Sequence, residues 1–562
     1  MNETIPNIYP FEQLLNEKAD IMLPYGYEVE NSRLYRVTED EKKKFVCDYV
    51  PRIDTIYINE RDTQTLWTIS WLEQNQEMQY LKLIPKGTFA TSSRIIELYE
   101  KGLSVTSDNS AELVRYFQRY EAEFKNEIEK KYAYDQLGYV KGGFLLPNQF
   151  ISADSKQDVV FQASGGNADF VKGYEESGTL EEWLKNVFEP IKTRKIPLFY
   201  TLASIGSPVM NRFNLSSMMA DLSFGTTAGK STTMLVANSA WGSRSLIDTW
   251  MTTQAGAERR AAMLNHLPYF MDDTRNTKLK PDELSTLIYT LASGKEKTRS
   301  GLKDNHISRT WNNFILSTGE QKITEYSKAG GSVARVLAIH EQAIEYNIEL
   351  ISQLEHATLE YYGTAGIAFL KWFVQQDLEP YKKSLEQYKT YYEGKTKNHI
   401  MQRLAKHMAF IRLVADMAQS AFGVEINTEL INEYWLSVVE SNLEQANRPL
   451  QALRDTMELA SRNRGKFYEK SEEKVFPIDN AFGELHKSTN RLCFERAFLE
   501  DYLQSRGYEP NTVLRQWKER KYLMTRSNEN TTSMVVDSVY EKKKKRFYCI
   551  DLTHEVLREE AE

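Results

Sequence analysis

The residues Phe224-Gly225-Thr226-Thr227-Ala228-Gly229-Lys230-Ser231, near the middle of the chain, have the make-up of a loop that wraps phosphates. They follow an apolar stretch and precede a helix-forming run, Thr232-Thr233-Met234-Leu235-Val236-Ala237. In such a loop backbone N–H groups and the positive end of the helix face the phosphates. The lysine reaches the β- and γ-phosphates, and the hydroxyl after it holds Mg²⁺. The pattern therefore points to ATP with Mg²⁺. Gly225, Thr226, Thr227, Ala228, Gly229, Lys230, Ser231 and Thr232 would make the contacts, with Ser231 on the metal. Phe224 stands where a glycine is usual; either the loop bends one residue late, at Gly225, or the ring packs behind it. A Gly-Lys-Ser tripeptide alone fits a solvated loop with a helix cap equally well.

A second element adds weight. His266-Leu267-Pro268-Tyr269-Phe270-Met271 is apolar and ends in Asp272-Asp273. Asp272 would help hold Mg²⁺ through its water shell, since Mg²⁺ seeks hard oxygen ligands. Asp273 would orient or deprotonate the attacking water, with one methylene less reach than the glutamate common there. A plain strand-end turn also favours two aspartates. A further apolar stretch, 311–316, runs into Ser317-Thr318-Gly319-Glu320. Thr318, with Ser317 second, is the polar side chain expected to sense the γ-phosphate; a plain strand-to-turn junction fits the same residues. Arg335, in an apolar segment after Gly330-Gly331, is either a surface arginine or a fixed positive charge supplied to a neighbouring subunit's phosphoryl group.

These residues need elements to position them. With 562 residues the chain is long enough for about three domains, and 41% hydrophobic residues suffice for their cores. A net charge of −7 rules out a polycation, so any nucleic-acid contact must come from local basic patches. Cys47, Cys493 and Cys549 show no CxxC pairing, which argues against a zinc module or disulfide framework and suits a reducing cytoplasm. No signal peptide is read at the N-terminus, and no apolar stretch is long enough to span a bilayer. Residues 25–100 read mainly as strands, with helices near 93–103 and 109–131. Gly138-Tyr139-Val140 and Gly143-Phe144-Leu145-Leu146 read as a hairpin, and Thr179 to Glu182 has capping-box spacing. From 196 to 320 strands and helices alternate, the mark of an α/β layer fold. Residues 333–425 turn helical, broken at Tyr361-Tyr362-Gly363-Thr364-Ala365-Gly366.

The order of motifs resembles a "domain of unknown function" family of AAA+ ATPases found in phages, plasmids and genomic islands. It resembles more closely the MCM-like, self-loading replicative helicases of staphylococcal cassette chromosomes and pathogenicity islands, the Cch and Rep proteins. The residues that carry the resemblance include Trp241-Gly242-Ser243, the segment 248–253, Leu267-Pro268 with Asp272-Asp273, the segment 289–299, Leu316-Ser317-Thr318-Gly319-Glu320, and 361–366. It covers roughly residues 20–430, and the C-terminal section more weakly. It implies an α/β AAA+ P-loop core at 146–340, a helical lid at 341–440, an N-terminal α+β domain at 1–145 and a C-terminal winged helix at 441–562. It also implies a homo-hexamer with ATP sites shared between neighbours, and DNA unwinding at the origin of a mobile element. Whether a primase or polymerase of that element joins it stays open.

In such a ring, a hairpin from 294–306 would follow the backbone of single-stranded DNA through Lys295, Lys297, Arg299 and Lys303. In the winged helix, the recognition helix would present Arg515, Lys518 and Arg520 to duplex DNA, and the wing would carry Lys543 and Lys544 within the run 542–546; winged helices also serve as protein-docking modules. Arg403 is the expected sensor-2 arginine of the lid. Two other functions fit the same motifs: an ATP-switched origin binder without processive unwinding, and a DNA-binding regulator that no longer hydrolyses ATP.

Overall fold

The computed structural model describes residues 22–554 and 557, apart from 60–63, 74, 76, 154–158, 164–165, 226–228, 298–307, 327–334, 346, 470–477, 507, 509 and 526–530. The chain divides into two compact units, Met1–Trp435 and Leu436–Glu562, and the division falls inside one helix, Glu429–Arg462.

The first unit begins with strands β1 (Tyr27–Glu30), β2 (Arg33–Val37) and β3 (Lys43–Cys47), which form an antiparallel sheet. Next come β4 (Arg52–Ile58), β5 (Thr65–Leu72), β6 (Met78–Pro85) and helix α1 (Ser110–Phe124). Trp67, Ile69 and Trp71 of β5 alternate toward one face and bury against Tyr116, Phe117 and Tyr120 of α1. The helix expected to reach 131 ends at Phe124. Glu129–Tyr134 instead forms β7, parallel to β4. The glutamates and lysines there favour a helix weakly, and pairing to the open edge of β4 overrides that preference.

The hairpin read at 138–146 forms as β8 (Gly138–Val140) and β9 (Gly143–Leu145), extended by β10 (Phe150–Ser152). Val159–Phe161 forms β11, which pairs with β7. The capping box holds: Thr179 Oγ1 accepts from Glu182 N at 3.2 Å, and Thr179 N donates to Glu182 at 2.9 Å.

The core sheet is built from β12 (Met218–Ser223), β13 (Ile247–Thr249), β14 (Tyr269–Asp272), β15 (Phe314–Gly319) and β16 (Val336–His340), in the order β13-β14-β15-β12-β16. All pairings are parallel. Every residue of β12 and β15 is buried, as expected where helices cover both faces; each strand begins apolar and turns polar toward its C-terminal end, with Asp221 and Ser223 in β12 and Ser317 and Thr318 in β15. From sequence, residues 333–425 read as helical with a break at 361–366. Val336–His340 is a strand instead, because a short apolar run is decided by the neighbour it pairs with, here β12.

Helices α2 (Lys195–Gly206), α3 (Lys230–Ser239), α4 (Gln254–Leu264) and α5 (Pro281–Ser293) belong to this layer. Then follow α6 (Ile348–Glu360), α7 (Thr364–Phe373), α8 (Glu379–Gly394) and α9 (His399–Phe422), with the expected break at 361–363.

The second unit holds a five-stranded sheet of β17 (Phe467–Glu469), β18 (Gly483–His486), β19 (Arg491–Phe494), β20 (Met534–Asp537) and β21 (Lys544–Asp551), ordered β17-β18-β19-β21-β20. Two helices, Arg496–Ser505 and Pro510–Glu519, follow one another with four residues between them. Leu499, Leu503, Val513, Leu514 and Trp517 bury their apolar faces in one core.

Candidate nucleotide-binding site and nucleic-acid interface

In a parallel sheet all strands point the same way, so their C-terminal ends gather functional groups at one edge. Here β12 leads through the loop into α3, β14 ends at Asp272, and β15 ends at Thr318-Gly319. Because β15 lies between β14 and β12, it sets Thr318 between the carboxylate and the loop.

Gly229 caps α3 with φ 72°, a backbone state that side-chain-bearing residues adopt at a cost. A Cβ there would also lie 2.7 Å from Ile344. Phe224 packs beside the loop, its ring 5.3 Å from the His340 ring and its N–H donating to Gly319 O at 3.2 Å. Lys230 Nζ donates to Phe224 O (2.8 Å) and Gly225 O (2.6 Å). Partial burial pulls its pKa below the usual lysine range, while the charges of Glu320, Asp273 and Asp272 oppose that shift. Lysine and acids thus share one electrostatic neighbourhood.

Thr318 is buried, with 1% exposure. Its hydroxyl donates to Asp272 Oδ1 and accepts from Asp273 N at 3.2 Å. Ser317, the second choice from sequence, points the other way. Its hydroxyl donates to the buried Asp221 at 2.9 Å and accepts from Trp250 Nε1 at 3.2 Å, so it braces the sheet. Asp273 has φ 55° and caps the turn after it, accepting from Arg275 N (3.1 Å) and Asn276 Nδ2 (2.9 Å). Both of its oxygens therefore also serve the strand-end turn. Gly319 lets that turn approach, since a Cβ there would meet Thr274 Oγ1 at 2.1 Å.

Sequence reasoning gave no role to Arg275 and Glu320, which pair at 2.9 Å; Arg275 also lies 3.7 Å from Asp273. Glu320 directly follows β15, and that position was the only local signal. Arg275 carries none, because its partner is 45 residues away.

Ser231 is exposed on the first turn of α3. Thr232 turns inward, with its hydroxyl on Glu355 of α6 at 3.2 Å, so it braces the helix and is not open to phosphate. Thr226, Thr227 and Ala228 lie outside the described residues. The groups near the loop suit Mg²⁺: one half-exposed carboxylate, Asp272, and one exposed hydroxyl, Ser231, leave most ligand positions to phosphate and water.

Two expected contacts lie elsewhere. Arg335 precedes β16, with its carbonyl accepting from Met219 N at 3.2 Å and its guanidinium 4.6 Å from the Tyr289 ring. That is the N-terminal edge of the sheet. The loop is at the other edge, about 20 Å away by the rise of a six-residue strand. Arg335 cannot reach its own chain's loop.

Arg403, expected as a sensor, corrects in the same direction. It is exposed, one turn before Lys406 and His407, which bond Asn214 O and Ser216 O (both 3.0 Å) just before β12. The structure does not bring it to the loop of its own chain. Sequence alone had no means of telling which end of the sheet α9 would meet.

The hairpin read at 294–306 has paired legs. Lys295 bridges Thr310, Glu296 N donates to Arg309 O at 2.9 Å, and Trp311 N donates to Gly294 O at 2.9 Å. Lys295 and Lys297 are exposed; Arg299 and Lys303 lie outside the described residues. In the second unit Arg515 is exposed, and Lys518 and Arg520 are half-buried. β20 and β21 pair antiparallel in the region where the wing was expected. Lys543 and Lys544 are exposed, with Lys543 2.8 Å from Glu541. Lys545 is held by Glu495 (2.5 Å) and Glu541 (2.7 Å).

Among the described residues, no helix is long and apolar enough to cross a membrane. No curated protein matches the sequence. Among solved structures, the chain is similar to "SCCmec type IV Cch - active helicase", at 14% identity and TM-score 0.69, over 96% of this chain and 100% of that one. That likeness shows a shared fold. A structure of the NrS-1 C-terminal region aligns over 68% of this chain and 90% of its own, at 8% identity and TM-score 0.24. Residues 450–555, which hold the two consecutive helices and the β20–β21 pair, match the "Cch helix turn helix domain". Residues 29–312, half of the chain and inclusive of the loop and the Asp272-Asp273 strand, match "Domain of unknown function (DUF927)", and the protein belongs to that family.

Proposed function

We propose that this protein is an ATP-dependent DNA helicase of a mobile genetic element, with an AAA+ core that works as a homo-hexamer and a C-terminal winged helix that binds the origin. The observation that carries the reading is the meeting of Lys230, Asp272 and Thr318 at one edge of a parallel sheet, in a chain that shares its fold with a protein described as an active helicase.

On this reading Lys230 exchanges its two loop carbonyls for β- and γ-phosphate oxygens. Mg²⁺, held through Ser231 and Asp272, would neutralise phosphate charge when bound. Thr318 fixes Asp272 and the start of the Asp273 turn, so a change at the phosphates reaches both strands. Asp273 orients the water and takes its proton as the γ-phosphoryl group transfers. Arg335, remote from its own loop, serves a neighbour's phosphoryl group, which makes hydrolysis depend on assembly. The hairpin cations Lys295 and Lys297 track one DNA strand through its phosphates. Arg515, Lys518, Arg520, Lys543 and Lys544 contact the duplex origin.

The test is ATP hydrolysis with and without single-stranded DNA, together with strand displacement on a forked duplex, for the wild type and Lys230→Ala. The expected result is DNA-stimulated turnover and unwinding in the wild type, and neither in the variant, which still binds duplex. Unwinding by Lys230→Ala would refute the site. Binding and ATP turnover without strand displacement would favour an origin binder over a helicase.

A further inference from the structure

The stretch 394–415 contains Lys395, Lys397, Arg403, Lys406 and Arg412 and no aspartate or glutamate, in a chain whose net charge is −7. Arg412 is neutralised by Asp416, four residues on. Lys397 and Arg403 are exposed, and neither they nor Lys406 form an ion pair among the described residues. A run of uncompensated cations is costly to keep together unless a polyanion meets it.

The fold says where these cations sit. Residues 214–217 lead into β12 and are gripped from two sides. On one side Lys406 and His407 of α9 bond Asn214 O and Ser216 O. On the other, Asn312 bonds Leu215 O, and Ser217 Oγ donates to Trp311 O at 3.2 Å, at the foot of the hairpin that carries Lys295 and Lys297. Arg212, exposed, lies two residues upstream of Asn214. The beginning of α9 and the hairpin foot therefore flank the same four residues, at the sheet edge away from Lys230.

We infer that Arg403, Lys406 and Arg212 form a second phosphate-binding track for single-stranded DNA, continuous with the hairpin and supplied by the lid. It rests on the DNA-translocating reading above. Arg403 then acts on nucleic acid rather than as an ATP sensor. Because the lid also grips α3 through the Glu355–Thr232 bond, one helical layer touches both the nucleotide helix and the DNA track.

The experiment measures binding of a fluorescent oligo-dT strand to the full chain over a range of salt concentrations. It compares the wild type, Arg212→Glu, Arg403→Glu and Arg403→Lys, with melting curves to establish that each is folded. Each lost cation should flatten the plot of log affinity against log salt by about 0.7, and Arg403→Lys should restore the wild-type slope. Both charge-reversed variants binding with the wild-type affinity and slope would overturn this inference alone, and leave the edge to an acidic protein partner. No oligo-dT binding by the wild type would overturn it together with the helicase reading.

Discussion

Thr318→Val tests the centre of the site, because valine keeps the shape and removes only the hydroxyl. That hydroxyl donates to Asp272 and accepts from Asp273 N at 3.2 Å, at a residue 1% exposed. A hydrogen bond to a charged acceptor contributes about 1.5–3 kcal/mol, and a buried N–H left unpaired costs about 1–3 kcal/mol. Asp272 is half-exposed, so water replaces part of the first term, and the net loss is about 2–3 kcal/mol. If that loss falls on the placement of Asp272 during phosphoryl transfer, turnover drops about 30- to 150-fold. Steady-state ATP hydrolysis, with circular dichroism to verify folding, reads the effect. Thr318→Ser, which keeps the hydroxyl, should stay within about threefold of the wild type. A folded Thr318→Val that turns over as fast as the serine variant would refute the role given to this side chain.

Further outcomes follow from other parts of the molecule. Gly229→Ala combines a left-handed backbone, which costs a side chain about 1–2 kcal/mol, with an overlap against Ile344, and should lower both nucleotide affinity and the melting temperature. Burial pulls His266 and His407 down to about 4, and His266 Nδ1 must stay unprotonated to accept from Tyr139 N at 3.2 Å. The unfolded rings protonate near the ordinary value of 6.5, so the stabilisation is complete above that pH and is lost as pH falls toward 4. Each ring contributes about 3 kcal/mol to that total loss, which melting curves between about pH 7.5 and about pH 4.5 should show and His266→Gln should reduce. Lys545→Ala should lower the stability of the second unit by about 1 kcal/mol, because it breaks the pairs with Glu495 and Glu541. Lys544→Ala should leave melting unchanged and flatten the salt dependence of duplex binding by about 0.9.

The chemistry was legible where it is local. Gly229-Lys230-Ser231 before a helix and Asp272-Asp273 after an apolar strand are short patterns of the kind a nucleotide site would need, and the fold sets both at one edge of the sheet. The capping box at Thr179 and Glu182 and the hairpin at 138–145 were readable for the same reason, since their partners lie a few residues apart. The pairing of Arg275 with Glu320 was hidden by 45 intervening residues. The strand at 336–340 looked like part of a helical section, because five apolar residues show no period of their own.

By itself, then, the order of amino acids set out the candidate groups: a glycine-lysine-serine loop before a helix, paired aspartates after an apolar strand, a basic segment at 294–306 and two consecutive C-terminal helices. Only the tertiary structure decided which edge each group occupies. Parallel pairing put Lys230, Asp272 and Thr318 at one end of the sheet and Arg335 at the other, and the docking of α9 through Lys406 and His407 left Arg403 on the side of that second end. Local pattern is set by neighbours along the chain, whereas an edge is set by strand order, and strand order is fixed by contacts between residues far apart in sequence.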